Sequence, residues 1–213
     1  MTQFIGLGAY SRVGKDSLAN YLVAELTRLD PKFRVKKIPF AWKLKQIAFD
    51  LYAWAGMREP EFYDTPEGAP FRDIVLPGIG KSPVKIWVDL GTPAIRDQVY
   101  INTWIDYVLK TDHDADLVIV PDVRFPNETA AMLGLDAALI KVVRPGYGPR
   151  KTVADRALVG WDGWNYVVGA SGTMNELNWW ATQFAQHYVT HCMWPTQHHF
   201  ERICALAVEV IEP

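Results

Sequence analysis

The chain has 213 residues, 49% of them apolar and 22% charged, the balance of a globular protein with a core rather than of a disordered or fibrous one. A formal net charge of −2 excludes a broad basic field, so neither nucleic acid nor an anionic membrane is expected as a partner. The two cysteines, Cys192 and Cys204, make no disulfide framework, the start MTQFIGLGAYS has no signal-peptide character, and no uncharged apolar run nears the ~20 residues of a membrane helix. A cytoplasmic protein is expected.

In chain order, Phe4-Ile5-Gly6-Leu7 reads as a short apolar strand running into a glycine-rich turn. Leu18, Leu22, Leu26 and Leu29 lie at helical spacing and predict a helix from Lys15 to Leu29, stopped by Pro31. Val35 to Pro39 predicts a second strand, and Phe40 opens a helical run that Gly56 ends. The stretch from Arg58 to Lys81 is rich in proline and glycine and reads as a loop, of the kind used as a lid or a binding element. Val84 to Leu90 begins another helix, which Gly91-Thr92-Pro93 interrupts, and Asn102 or Thr103 caps a helix over TWIDYVLK. Leu117 to Val120 is the clearest buried strand, with Pro121-Asp122 at its end. Asn127 or Thr129 then starts a short helix, and Ala137 to Val143 gives a further strand. Residues 146–163 are polar, glycine-rich and basic. Tyr166 to Val168 makes a last strand, before helices over Met174 to Val189 and Trp194 to Val210. This alternation predicts an α/β fold with a central parallel sheet.

The segment from Gly6 to Ser17 joins the first strand to the first helix. A phosphate loop has the pattern G-x-x-x-x-G-K-[ST] in that setting. Counted back from Gly14, its first glycine position holds Ala9, and Asp16 stands where Ser or Thr is usual. The chemistry tolerates both changes. Gly14 lets the backbone approach a phosphate, Lys15 is a point cation for the β- and γ-phosphates, and the helix start offers unpaired N–H groups. Gly8 is expected to relax the turn beside Ala9, and Asp16 or Ser17 to supply an oxygen for magnesium. Ala9, Tyr10, Ser11, Arg12, Val13, Gly14, Lys15, Asp16 and Ser17 are thus the expected phosphate-binding set. The plainer reading is a glycine-rich turn with a surface lysine; strand, turn, Gly-Lys and amphipathic helix in sequence argue against it.

Such a loop needs an acid on a neighbouring strand to hold magnesium, and Asp122 fits, with Arg124 at the carboxyl edge of the sheet. A helix-capping aspartate beside a solvated arginine is the plainer alternative. Lys43, Lys45, Arg72 and Arg96 are expected on the acceptor side, and Arg144, Arg150, Lys151 and Arg156 around a lid. About half of such cations are ordinary surface residues. Phe40, Trp42 and Tyr63 are placed to stack a base, while Trp179 and Trp180 suit a core or a subunit interface, so a homo-oligomer is expected. His187, His191, His198 and His199 read as a helix-end cluster without a metal.

Taken together, Gly14-Lys15-Asp16-Ser17, Phe40-Ala41 with Leu44-Lys45, Leu90-Gly91-Thr92 with Arg96, Asp122-Val123-Arg124-Phe125-Pro126-Asn127-Glu128, Arg144-Pro145-Gly146 and Gly172-Thr173 with Glu176-Leu177 resemble the bacteriophage deoxynucleoside monophosphate kinases. The likeness spans nearly the whole chain. It implies a three-layer P-loop kinase fold with an inserted acceptor-binding lobe and a lid, ATP and magnesium as co-reactants, and a deoxynucleoside monophosphate as acceptor. By position it implies that Lys15, Asp16 and Ser17 face phosphates and metal, and that Asp122 and Arg124 flank the transferring group. Phe40, Lys43, Lys45 and Arg96 would serve the acceptor and Arg144 the nucleotide. The chain departs from the family at Ala9, at Val13 where Ser is common, at Trp42, and in lacking H-x-S-E in the lid. A kinase of another phosphorylated metabolite, and a nucleotide-binding module without kinase activity, are the alternatives.

Overall fold

The computed structural model describes residues 2–170 and 173–211, with side chains described as far as residue 205. Gly172 of the Gly172-Thr173 motif lies outside the described residues. In chain order the elements are β1 (Gln3–Gly8), α1 (Lys15–Leu29), β2 (Val35–Lys37), α2 (Trp42–Tyr52), α3 (Pro83–Asp89), α4 (Thr103–Lys110), β3 (Leu117–Val123), α5 (Pro126–Leu133), β4 (Ala138–Val143), α6 (Val153–Arg156), β5 (Tyr166–Gly169), α7 (Met174–His191) and α8 (Gln197–Ile211). They fall into two compact units, one of Met1–Pro39 with Asp112–Pro213 and one of Phe40–Thr111.

The first unit is built on a five-stranded sheet, every neighbouring pair parallel, in the order β2-β3-β1-β4-β5. Parallel strands covered on both faces read as continuous apolar runs, which is why Leu117 to Val120 are all fully buried. Ile5, Leu7, Leu117, Ile119, Ile140 and Val168 point to one face, where they share a core with α1 and α7. Leu18, Leu22 and Leu26 make the apolar stripe of α1, each 0% exposed, and Phe200 of α8 closes that core against Tyr166 at 5.0 Å between ring centroids. On the other face, a Cβ at Gly6 would come within 2.9 Å of Met132 Sδ on α5. Glycine there allows the helix to close on the sheet.

β3 runs further than its apolar residues suggest, through Pro121 and Asp122 to Val123. Pro121 has no N–H for a ladder, and β2 has already ended, its last pair being Lys37 with Ile119. On the β1 side the register passes from Gly6↔Val120 to Gly8↔Val123, an extra residue on β3. This bulge re-aims the side chains at the carboxyl end of the strand.

The second unit has its own core of Ala48, Met57, Tyr63, Leu76 and Ile86. The stretch expected as loop is folded, with short 3-10 turns at Phe62–Asp64 and Ala69–Asp73 and a bridge between Leu76 and Lys81. Nor does Gly91-Thr92-Pro93 interrupt its helix: α3 continues as a π-helix over Leu90–Arg96 with Pro93 inside. The wider winding, in which Asp97 N–H reaches Thr92 O at 3.0 Å, relieves the clash that a proline ring makes with an α-helical turn. Among the described residues, no helix is long and apolar enough to cross a membrane.

Leu22, 0% exposed between α7 and the sheet, reports on the first unit's core. Leu22→Ala is expected to lower the unfolding free energy by about 2–5 kcal/mol, read as a lower urea midpoint at unchanged slope.

Candidate functional site

Parallel α/β sheets bind ligands outside the carboxyl ends of their strands, where the strand order reverses. After β1 the chain crosses to β2 at one edge of the sheet and returns through β3, then passes β1 to reach β4 and β5 on the other side, so the reversal lies at the end of β1. The turn from Ala9 to Gly14 stands there. It contains three residues at positive φ, Ala9 at 124°, Arg12 at 66° and Gly14 at 103°. Ala9 therefore adopts the conformation for which the usual pattern keeps a glycine. Gly8, expected from sequence to relax the turn, instead ends β1, and its missing side chain makes room for Trp164, whose Cη2 would lie 2.1 Å from a Cβ there. Gly14 is required by its φ, and Leu177 Cδ1 packs close by, 2.8 Å from where a Cβ would stand.

Lys15 is not a surface lysine. It is 4% exposed, and its Nζ donates to the Tyr10 carbonyl at 2.5 Å. Burial, then the nearby Arg124 guanidinium, lowers its pKa from 10.5 to about 8, against the opposing pull of Asp16, Asp155 and Asp122. Because Gly14 offers no side-chain cap to α1, the first-turn amides have no such partner. Beside them lies a cavity of about 300 Å³ lined by Arg12, Gly14, Lys15, Ser17, Arg144 and Leu177, the lower end of the range for small-molecule sites. The Arg144 guanidinium rests over the Tyr147 ring, 4.6 Å from its centroid. Val13 is buried, whereas Asp16, in the first turn of α1, is exposed and lines the same cavity.

Asp122 lies in the bulge of β3 and Arg124 directly follows the strand. Two buried carboxylates, to neither of which the sequence assigned a role, organise this corner. Glu128, 5% exposed, accepts the backbone N–H groups of Arg124 at 2.7 Å and Phe125 at 3.0 Å, so the last residue of Asp122-Val123-Arg124-Phe125-Pro126-Asn127-Glu128 fixes the backbone at its middle. Asp155, on α6, accepts from Arg124 Nη1 at 2.5 Å and from the Ser11 hydroxyl at 3.0 Å. The Arg150 N–H approaches its other oxygen at 3.4 Å. A signal for α6 was present in Thr152-Val153-Ala154-Asp155, which matches the [ST]-x-x-[DE] helix-start pattern; Thr152 Oγ1 accepts Asp155 N–H at 3.3 Å.

The structure thus brings Ala9 to Ser17, Asp122, Arg124 and Arg144 to one end of the first unit's sheet, with Arg150 joined through its backbone. The expected acceptor residues Phe40, Lys43, Lys45, Arg72 and Arg96 all belong to the second unit. Lys45 pairs with Asp64 at 3.3 Å, and Arg72 joins the same carboxylate at 2.9 Å. Lys43 lies over the Tyr107 ring at 5.7 Å. Phe40 is 3% exposed and Tyr63 only 1%. Tyr63 is a core residue, edge-on to Trp87 at 5.2 Å, and does not stack a base. Trp180 is likewise in the first unit's core, with Trp179 packed against it. The rings of His187, His191 and His199 gather at the α7–α8 end, yet among the described residues no group of three His, Cys, Asp or Glu side chains is arranged to hold a metal. No protein-family model matches the sequence, and no curated protein sequence matches it.

A non-glycine residue at the φ of Ala9 is strained by about 1–2 kcal/mol. Ala9→Gly is therefore expected to raise the melting temperature, the relief exceeding the added freedom of the unfolded chain. For Lys15 the unfolded chain holds more protons between about pH 8 and 10.5, so this group's contribution to stability rises with pH across that window. Comparing the wild type with Lys15→Met by denaturant titration at several pH values isolates the effect, which the variant should lack.

Proposed function

We propose that the chain is an ATP-dependent kinase of deoxynucleoside monophosphates, with a P-loop kinase fold whose phosphate loop is the Ala9–Gly14 turn. The observation that carries the reading is the turn itself. A strand, three positive-φ residues, a buried lysine and an uncapped helix start follow one another at the switch point of a parallel sheet. Each is a device for surrounding a polyphosphate with N–H groups and one amine. The order of motifs along the chain adds the acceptor class.

In this reading the cavity beside Arg144 takes the nucleotide. An oxygen of the acceptor's phosphate attacks the γ-phosphorus of ATP in line. The bond from that phosphorus to the β,γ-bridging oxygen breaks, and ADP leaves with the electron pair. No protein nucleophile is needed, because the acceptor phosphate is already ionised at neutral pH. Lys15 and Arg124 offset the charge on the transferred group. Asp16, Ser17 and Asp122 offer only oxygen atoms, the donor set of a hard divalent cation, and would hold magnesium together with substrate phosphates. When bound, the ion would neutralise phosphate charge. Phe40, Lys43, Lys45, Arg72 and Arg96 are assigned to the acceptor.

The test is a panel of deoxynucleoside monophosphates with ATP, reading ADP and the nucleoside diphosphate. Formation of a diphosphate from at least one of them is expected; ATP hydrolysis indifferent to every acceptor would reject the reading. Lys15→Met should abolish transfer in a protein that still melts cooperatively. The amine titrates near pH 8 in the free protein, so kcat/KM for ATP should fall as pH rises through that value. A profile level across it would remove Lys15 from the role.

A further inference from the structure

We infer that Asp155 is a positioning residue: it anchors one nitrogen of Arg124 so that the remaining edge of the guanidinium is presented to a phosphoryl group. The inference rests on the kinase reading above and names a residue which that reading does not use. A guanidinium carries five donors in a rigid fork. In Arg124 both hydrogens of Nη1 are committed, one to Asp155 Oδ1 at 2.5 Å and one to Ser11 Oγ at 3.3 Å. Nε and Nη2 bond to no described residue, and together they form the edge that grips two oxygens of a phosphate side by side.

The anchor is well built. The Asp155 side chain is 0% exposed and that of Arg124 is 26% exposed, so the carboxylate is held inside while part of the fork reaches the surface. Asp155 is fixed from three directions, by Arg124 on the β3 edge, by Ser11 in the turn and by the Arg150 amide. Glu128 fixes the Arg124 backbone from a fourth. Arg124 also stands close enough to Lys15 to depress its pKa, so amine and guanidinium address one region. The segment that carries Asp155 is seated on the turn, Trp164 covering Gly8 and a gap of only about 10 Å³ remaining beside Ala9 and Arg124. A carboxylate in this place orients an arginine that acts on substrate, much as outer partners orient metal ligands.

Asp155→Asn keeps the shape and the Ser11 bond but replaces the charge that holds Nη1. Measured on the full chain with ATP and a deoxynucleoside monophosphate accepted by the wild type, kcat should fall about 10- to 100-fold, the range seen when such outer partners are lost, with KM for ATP nearly unchanged. In an Arg124→Ala background the same substitution should cost no further activity, because the two act as a unit. Unchanged kcat in Asp155→Asn, or equal losses in both backgrounds, would overturn the inference. If Asp155→Asn does not fold, Arg124→Lys answers the same question: it keeps the ion pair but has no second edge, and should lose as much kcat as Arg124→Ala. Wild-type kcat in Arg124→Lys would overturn the inference too. A wild type that phosphorylates no acceptor removes the kinase reading and this inference with it, whereas an active wild type with an indifferent Asp155 removes only the second.

Discussion

A buried lysine amine whose hydrogen-bond partner is a backbone carbonyl sets the terms for everything around it. Lys15 gives up hydration at the end of β1, and its lowered pKa records the penalty. Such a cation persists only where the surroundings are tuned to it. Tyr10 turns its carbonyl inward to accept the hydrogen bond of the amine, in a turn that passes through positive φ at Ala9 and Arg12. Asp16, Asp122 and Asp155 lie close enough to favour the charge, while Arg124 opposes it. The balance leaves the amine charged at neutral pH yet short of solvation, a state that a polyanion relieves. Strain in the turn and desolvation of the lysine are thus two sides of one arrangement, each stabilised by the core packed behind it.

Much of this was legible in the sequence because it rests on local patterns. The leucine stripe of α1 and the apolar run of β3 report burial directly, and Gly14-Lys15, where β1 gives way to α1, marks the turn. What stayed hidden depends on the third dimension. Ala9 gives no sign of positive φ, since alanine carries no preference for it; the conformation belongs to the turn by which the chain leaves β1. Asp155 sits in a polar, basic stretch that composition assigns to solvent, and its burial follows from a pairing with Arg124 across thirty-one positions of sequence. Pro93 signals a break by its own chemistry, but a π-helical turn absorbs it. Tyr63 carries the chemistry of a stacking residue, and only the second unit's core shows that its ring is already used.

The bulge in β3 connects these levels. The extra residue of β3 between the partners of Gly6 and Gly8 shifts the register at the end of the strand, and because side chains alternate along a strand such a shift turns the residues beyond it to the opposite face. Pro121 is tolerated where β2 no longer needs a partner, and Glu128 then grips the backbone as it leaves the sheet. One irregularity in a ladder aims an acid and a base at the end of β1, while the regular part of the same strand builds the core.

The placement of the second unit between β2 and β3 bears on how fast the protein reaches its native state. Pairing Val35 with Leu117 closes a loop that holds the whole of Phe40–Thr111. The entropy of such a closure grows only logarithmically with its length, so an insertion of this size weighs little on equilibrium stability. Folding rate is another matter, because contacts distant in sequence slow the search. The pairings of β3 with β2 and with β1 both span the insertion, and an inserted unit that collapses on its own core shortens the effective distance these strands must cover.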